Sequence, residues 1–223
     1  MREPNPGARR SPVGAAPADG LRELGRRGVV VLGFAALCTA LLGACEPPPP
    51  PIADPAAATA AAADACVSGE PDAVDAAVET MDRVLRDPAA PVEAWAVRGL
   101  CLWTRHRAAG ADGRASDIEQ AYLDYSRAIE AAGPDDAIPL ADLYAERAAI
   151  VRAARPGEPQ AEWVDLGEAL RLRPAAAGLR ARRAEAALRV GDTLRAVEDL
   201  RTLAQTPGPA ADSARARLRE LGR

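Results

Sequence analysis

Four cysteines carry most of the chemistry that this 223-residue chain can offer, and their positions divide them into two pairs. Cys38 and Cys45 lie in and just after an apolar run near the N-terminus, while Cys66 follows an alanine-rich stretch and Cys101 lies further along, in a stretch that reads as helical. Two is the smallest number of thiols that pairs completely, so Cys66 and Cys101 suit a disulfide, with two buried free thiols as the alternative. A bridge closing about 36 residues adds a few kcal/mol, provided the chain before the first helix folds back beside a later one. His106 is the single histidine and stands between Arg105 and Arg107, a setting that suits a surface position better than a metal ligand or general base. No serine sits in a nucleophile-elbow sequence and no glycine-rich phosphate loop occurs. The acidic residues fall at helical turns and on faces that read as solvated. The chain is therefore expected to be a non-enzyme with no cofactor and no metal.

The elements around these residues follow from composition. Hydrophobic residues make up 48% of the chain but aromatics only 3%, and much of the apolar content is alanine. A core of that kind is built by close helix packing, which predicts an all-α fold. All 28 basic residues are arginine, a bias that reads as compositional and not as phosphate recognition. Residues 1–44 hold six arginines and three acids, so residues 45–223 carry 22 basic against 29 acidic side chains. That negative balance argues against nucleic acid or anionic lipid as the main partner.

Arg22, Arg26 and Arg27 precede an apolar run from Gly28 to Leu42, the charge-then-apolar order of a secretory signal peptide. Leu42-Gly43-Ala44-Cys45 then resembles the lipobox of bacterial lipoproteins. The resemblance implies that the Cys45 sulfur is diacylated, that residues 1–44 are removed, and that Cys45 becomes a lipidated N-terminus on the extracytoplasmic side. An uncleaved membrane helix is the competing reading, against which stand the shortness of the run and the prolines that follow it. Arg26-Arg27 loosely resembles a twin-arginine export signal, but the usual hydroxyl residue before the pair and Phe-Leu after it are missing. Residues 1–20 form a long Pro-, Gly-, Ala- and Arg-rich stretch before the signal, for which a start downstream of Met1 is one explanation.

Residues 45–66 are expected to form a tether. Pro47 to Pro51 can only be extended, and the alanine-rich run from Ile52 to Ala65 reads as disordered or transiently helical. Some twenty such residues would hold a domain up to roughly 60 Å from a bilayer.

Residues 67–223 are expected to form a domain of about eight helices separated by Pro, Gly and Asp. Trp95-Ala-Val-Arg98-Gly99, Tyr144-Ala-Glu-Arg147-Ala148 and Arg180-Ala-Arg-Arg183-Ala184 each place a large residue four positions before a small one. They alternate with Ala121 to Ala128, Leu166 to Pro174 and Ala196 to Leu200, in which alanine and large apolar residues recur on one stripe. These half-motifs resemble the tetratricopeptide repeat, a helix-turn-helix unit of 34 residues. The third unit has the clearest turn, at Gly191-Asp192, whereas the first carries about ten extra residues around Ala109 to Ser116. Pro71 to Asp87 reads as a lone second helix, and Asp212 to Leu221 as a final helix capping the stack.

The resemblance implies antiparallel hairpins stacked as a short right-handed superhelix, with a concave face lined by first helices. Mapping the family's groove positions gives Glu93, Trp103, Thr104, Asp142, Arg152, Glu185 and Arg189 as partner-binding candidates. The Lys and Asn positions with which some relatives clamp a peptide C-terminus are Ala96, Ala145 and Ala181 here, which argues against that mode. An extended array with a lipid anchor is expected to act as an envelope adaptor that binds a protein or peptide, as a monomer or weak homo-oligomer. The alternative is a structural envelope lipoprotein that self-associates.

Overall fold

The computed structural model describes residues 50–133 and 139–223. The expected leader over 1–44, Cys45 and the first tether residues through Pro49 lie outside the described residues. Nine α-helices and no strand are found among the described residues: α1 (Pro55–Ser68), α2 (Pro71–Val84), α3 (Val92–Ala109), α4 (Ala115–Ala131), α5 (Leu140–Ala154), α6 (Pro159–Leu172), α7 (Ala177–Val190), α8 (Thr193–Gln205) and α9 (Pro209–Glu220). Each packs on its successor, and α1 also reaches α3. The result is an all-α helical-repeat fold of consecutive hairpins, as composition and half-motifs predict. No helix among the described residues is long and apolar enough to cross a membrane.

Punctuation sets the helix ends. Proline occupies the first turn of α1, α2, α6 and α9, where its missing N–H costs nothing. Gly191 closes α7 at φ 87°, a left-handed conformation that glycine adopts without strain, and the Asp192 carboxylate accepts from the Arg195 N–H at 3.1 Å to start α8.

Helix α1 corrects the reading of 55–66 as spacer. Asp54 caps it by accepting from the Ala57 N–H at 2.9 Å, Pro55 fits the first turn, and the alanine run that follows is the best helix-forming composition there is. Small side chains give no amphipathic signature, yet Thr59, Ala62 and Cys66 are buried against the neighbouring helices. Cys66 on α1 and Cys101 on α3 form a disulfide with Cα atoms 5.0 Å apart, both cysteines being buried. Helix α2 is thus not a lone second helix, because α1 supplies its partner.

Helices α3/α4, α5/α6 and α7/α8 are the three hairpins marked by the half-motifs. Their small residues do what close approach requires: Ala121, Ala128, Ala148, Ala169, Ala184 and Ala196 are completely buried. Gly99 marks a close crossing of α3 and α4, since a Cβ there would come within 3.0 Å of the Tyr125 ring. The extra residues of the first unit lengthen its helices to 18 and 17 residues, joined by a 3-10 turn over Gly110–Asp112. Larger side chains, among them Met81, Ile150, Leu166 and Leu203, fill the layers between hairpins.

Candidate functional site

Charge, not apolar patterning, shows how the repeat is fastened. In each of the three hairpins, the arginine three residues after the start of the first-helix motif meets an aspartate on the second helix. Arg98 Nε and Nη2 donate to Asp124 at 2.7 and 2.8 Å. Arg147 makes the same fork to Asp165 at 2.9 and 2.7 Å, and Arg183 to Asp199 at 2.8 and 2.6 Å. The longer first hairpin has a second rung seven residues along each helix, Arg105 to Asp117 at 2.8 Å through both nitrogens. Planar guanidinium matches carboxylate in two bonds at once, which lysine cannot do.

The aspartates of these forks are buried, with Asp124 0% exposed, so each depends on its arginine for compensation. Burial opposes the Arg98 charge, but hydrogen bonds and attraction from Asp124 and Asp82 outweigh it and raise its pKa. Hydrogen bonding to Asp199 raises that of Arg183, and hydrogen bonding to Asp117 that of Arg105. The chemistry of such pairs is positional: they hold register and leave no nucleophile or base poised for reaction.

Acidic residues are expected on solvated faces, but Asp117, Asp124, Glu162, Asp165 and Asp199 are all buried. The missed signal is in the motifs themselves. Arginine stands at the same first-helix position three times, and aspartate stands just before the large apolar residue (Tyr125, Leu166, Leu200) three times.

The groove candidates are distributed as follows. Trp103 is buried, with its ring 5.9 Å from that of His106 and the Arg107 guanidinium 5.7 Å from its centre. Thr104 faces α1 and α2, lining a cavity of about 470 Å³ with Cys66, Val67 and Leu100, and a smaller one with Pro71 and Val74. Glu93 is half-buried at the start of α3. Asp142 is ion-paired with Arg173. Arg189 reaches Glu162 at 2.6 Å, and Glu185 lies 3.5 Å from Arg217 of α9. Arg152 is exposed on α5. Glu185 and Arg189 share one face of α7, but both are bound into contacts between helices. Arg152 is the candidate best placed to meet another molecule.

Arginine also stacks on aromatic residues, both within a hairpin and between hairpins. Arg155 lies 4.3 Å over Tyr122, Arg127 4.6 Å over Trp95, and Arg195 4.6 Å over Trp163. No group of three or more His, Cys, Asp or Glu side chains suited to a metal ion occurs among the described residues. No protein-family model matches the chain, and no curated protein matches it.

Proposed function

We propose that the chain is a lipid-anchored envelope adaptor that binds a protein or peptide through the concave face of a tetratricopeptide-like array. The observation that supports this best is the succession of hairpins carrying one fork at one register. Stacked units present an extended surface, and such surfaces recognise chain segments and helices more readily than small substrates. Cys45, after Leu42-Gly43-Ala44, is the proposed acylation point, and two or three acyl chains hold a protein to a bilayer where one does not. The reading assigns no catalytic step and no nucleic acid.

Two measurements test it. Palmitate labelling of cells expressing the chain is expected to disappear in Cys45→Ser, and label retained at full strength would remove the anchor. A photo-crosslinking residue in place of Arg152 is expected to capture one discrete partner in native membranes. Absence of any adduct there and at Glu93 would remove the concave-face reading. Trp103, being buried, is unsuitable for this test because its replacement disturbs packing.

Self-association as a structural envelope component is the second reading. It is favoured by the apolar side chains exposed beside the α7–α8 turn, Val190 and Leu194, the latter 79% exposed. Concentration-dependent oligomers in sedimentation would select it over a monomeric adaptor.

A further inference from the structure

The forks leave one nitrogen of each arginine, Nη1, for a further acceptor, and its fate changes along the array. Arg98 Nη1 donates to Asp82 of the preceding hairpin at 2.7 Å. Arg105 Nη1 reaches Asp75 at 2.9 Å, one rung along the same helix. Arg147 Nη1 donates to the Ser126 hydroxyl at 3.1 Å. Asp82 and Ser126 hold the same place in their helices, one residue beyond the large core residues Met81 and Tyr125. On α6 that place, one beyond Leu166, is Gly167. Arg183 Nη1 has no acceptor among the described residues, and a Cβ built on Gly167 meets nothing within 4 Å.

A cavity of about 240 Å³ lies beside this gap, lined by Arg180, Arg183, Arg195, Glu198 and Trp163 among others. Trp163 stands one turn before Gly167 on α6 and so on the same face. Its indole N–H is buried and makes no hydrogen bond, a state that proteins avoid unless an acceptor arrives from elsewhere. Arg195 lies over the indole ring, and its side chain is 57% exposed, so it can lift from the ring without unpacking the core. Arg183 Nη1 therefore lacks the carboxylate or hydroxyl that other hairpins supply, and the Trp163 indole N–H is unpartnered beside it. Three arginines against Glu198 and Asp199 leave the lining one unit positive.

We infer that this cavity between α6, α7 and α8 binds a carboxylate, one oxygen accepting from Arg183 Nη1 and the other from the Trp163 indole once Arg195 moves aside. The carboxylate takes the role that Asp82 plays toward Arg98. It comes from a free small acid or from an acidic side chain of a protein partner. The site requires neither the anchor nor the concave face, so it stands or falls separately from the function proposed above.

The test follows the indole N–H resonances of the ¹⁵N-labelled full-length chain in chloride buffer, with Trp163 assigned through Trp163→Phe. Succinate and a capped glycyl-glutamyl-glycine peptide are the probes. The Trp163 resonance is expected to shift saturably with at least one of them, while those of Trp95 and Trp103 stay in place. A response to succinate alone marks the ligand as a free acid, and a response to the capped peptide marks it as a side chain; both support the site. Gly167→Asp places a carboxylate in the gap and is expected to weaken the response at least tenfold. Gly167→Ser, the counterpart of Ser126, should weaken it less, and Glu198→Gln should strengthen it several-fold by removing a like charge. Absence of a saturable shift with either probe, or an undiminished shift in folded Gly167→Asp and Gly167→Ser, would overturn the inference.

Discussion

Arg98 on α3 grips Asp124 on α4 through two parallel hydrogen bonds, and its remaining arm holds Asp82 on α2, so one side chain ties three successive helices. Removing Arg98 leaves the buried Asp124 carboxylate with Gln120 at 2.8 Å and Arg127 at 3.9 Å, whereas removing Asp124 leaves Arg98 its contact with Asp82. Asp124→Ala removes the fork while Asp82 stays, and is expected to lower stability by about 1.5–3 kcal/mol, seen as a lower urea midpoint. Arg98→Lys should still cost about 1 kcal/mol or more, because an ammonium cannot make the fork. The double change Arg98→Met with Asp124→Leu should recover most of the loss. A double variant as unstable as Asp124→Ala would show that the pair does more than compensate its own burial.

The disulfide between Cys66 and Cys101 binds α1 to α3. Replacing both cysteines with alanine is expected to lower stability by about 3–4 kcal/mol in the oxidised protein. The same reductant that destabilises the native protein should have no effect on that variant. Hydrogen exchange should quicken in α1 before any other helix, and uniform quickening would mean that α1 does not open separately.

Tyr125 is buried against Gly99, and burial, reinforced by the Glu146 charge, raises its pKa above the ordinary value of 10.0. The folded state therefore keeps this proton at a pH where the unfolded chain has lost it. Its contribution is fully present below pH 10 and falls above that value by about 1.4 kcal/mol per pH unit. Tyr125→Phe is expected to flatten the fall in urea midpoint between pH 10 and 11.5. An unchanged alkaline slope would assign the loss to other groups.

Gly113 has ordinary backbone angles and is glycine for reasons of space. A Cβ there would stand 2.6 Å from His106 Nδ1 and 2.7 Å from the His106 carbonyl oxygen. Gly113→Ala is expected to cost about 1–3 kcal/mol in thermal or urea unfolding. His106→Ala should not rescue it, because the backbone oxygen remains; full rescue would place the conflict in the ring alone.

Helix positions were legible because they depend on local chemistry. Prolines and glycines marked the ends, and the small residues Gly99, Ala148 and Ala184 marked where helices cross. Two things escaped. Helix α1 has no stripe of large apolar residues, so its burial rests on alanine, a cap at Asp54 and the Cys66–Cys101 link, of which only the link was legible in the sequence. The forks join residues separated by 12 to 26 positions, and single arginines and aspartates on an amphipathic helix look like solvated charge until the partner helix is in place. The groove candidates were assigned by motif position, which says where a residue lies on its helix but not that Asp142 or Arg189 finds an ion-pair partner on another helix.

The early start of α1 limits the reach of the chain if Cys45 is acylated as proposed. Nine residues, Glu46 to Asp54, separate that sulfur from the first helical turn, and even fully stretched the ten steps from Cys45 to Pro55 span at most about 35 Å. Arg83 takes the Pro50 carbonyl at 3.1 Å, which shortens the leash further. The first hairpin would ride just above the lipid headgroups, and a partner would be met by sideways encounter along the membrane plane more readily than by reaching across the compartment.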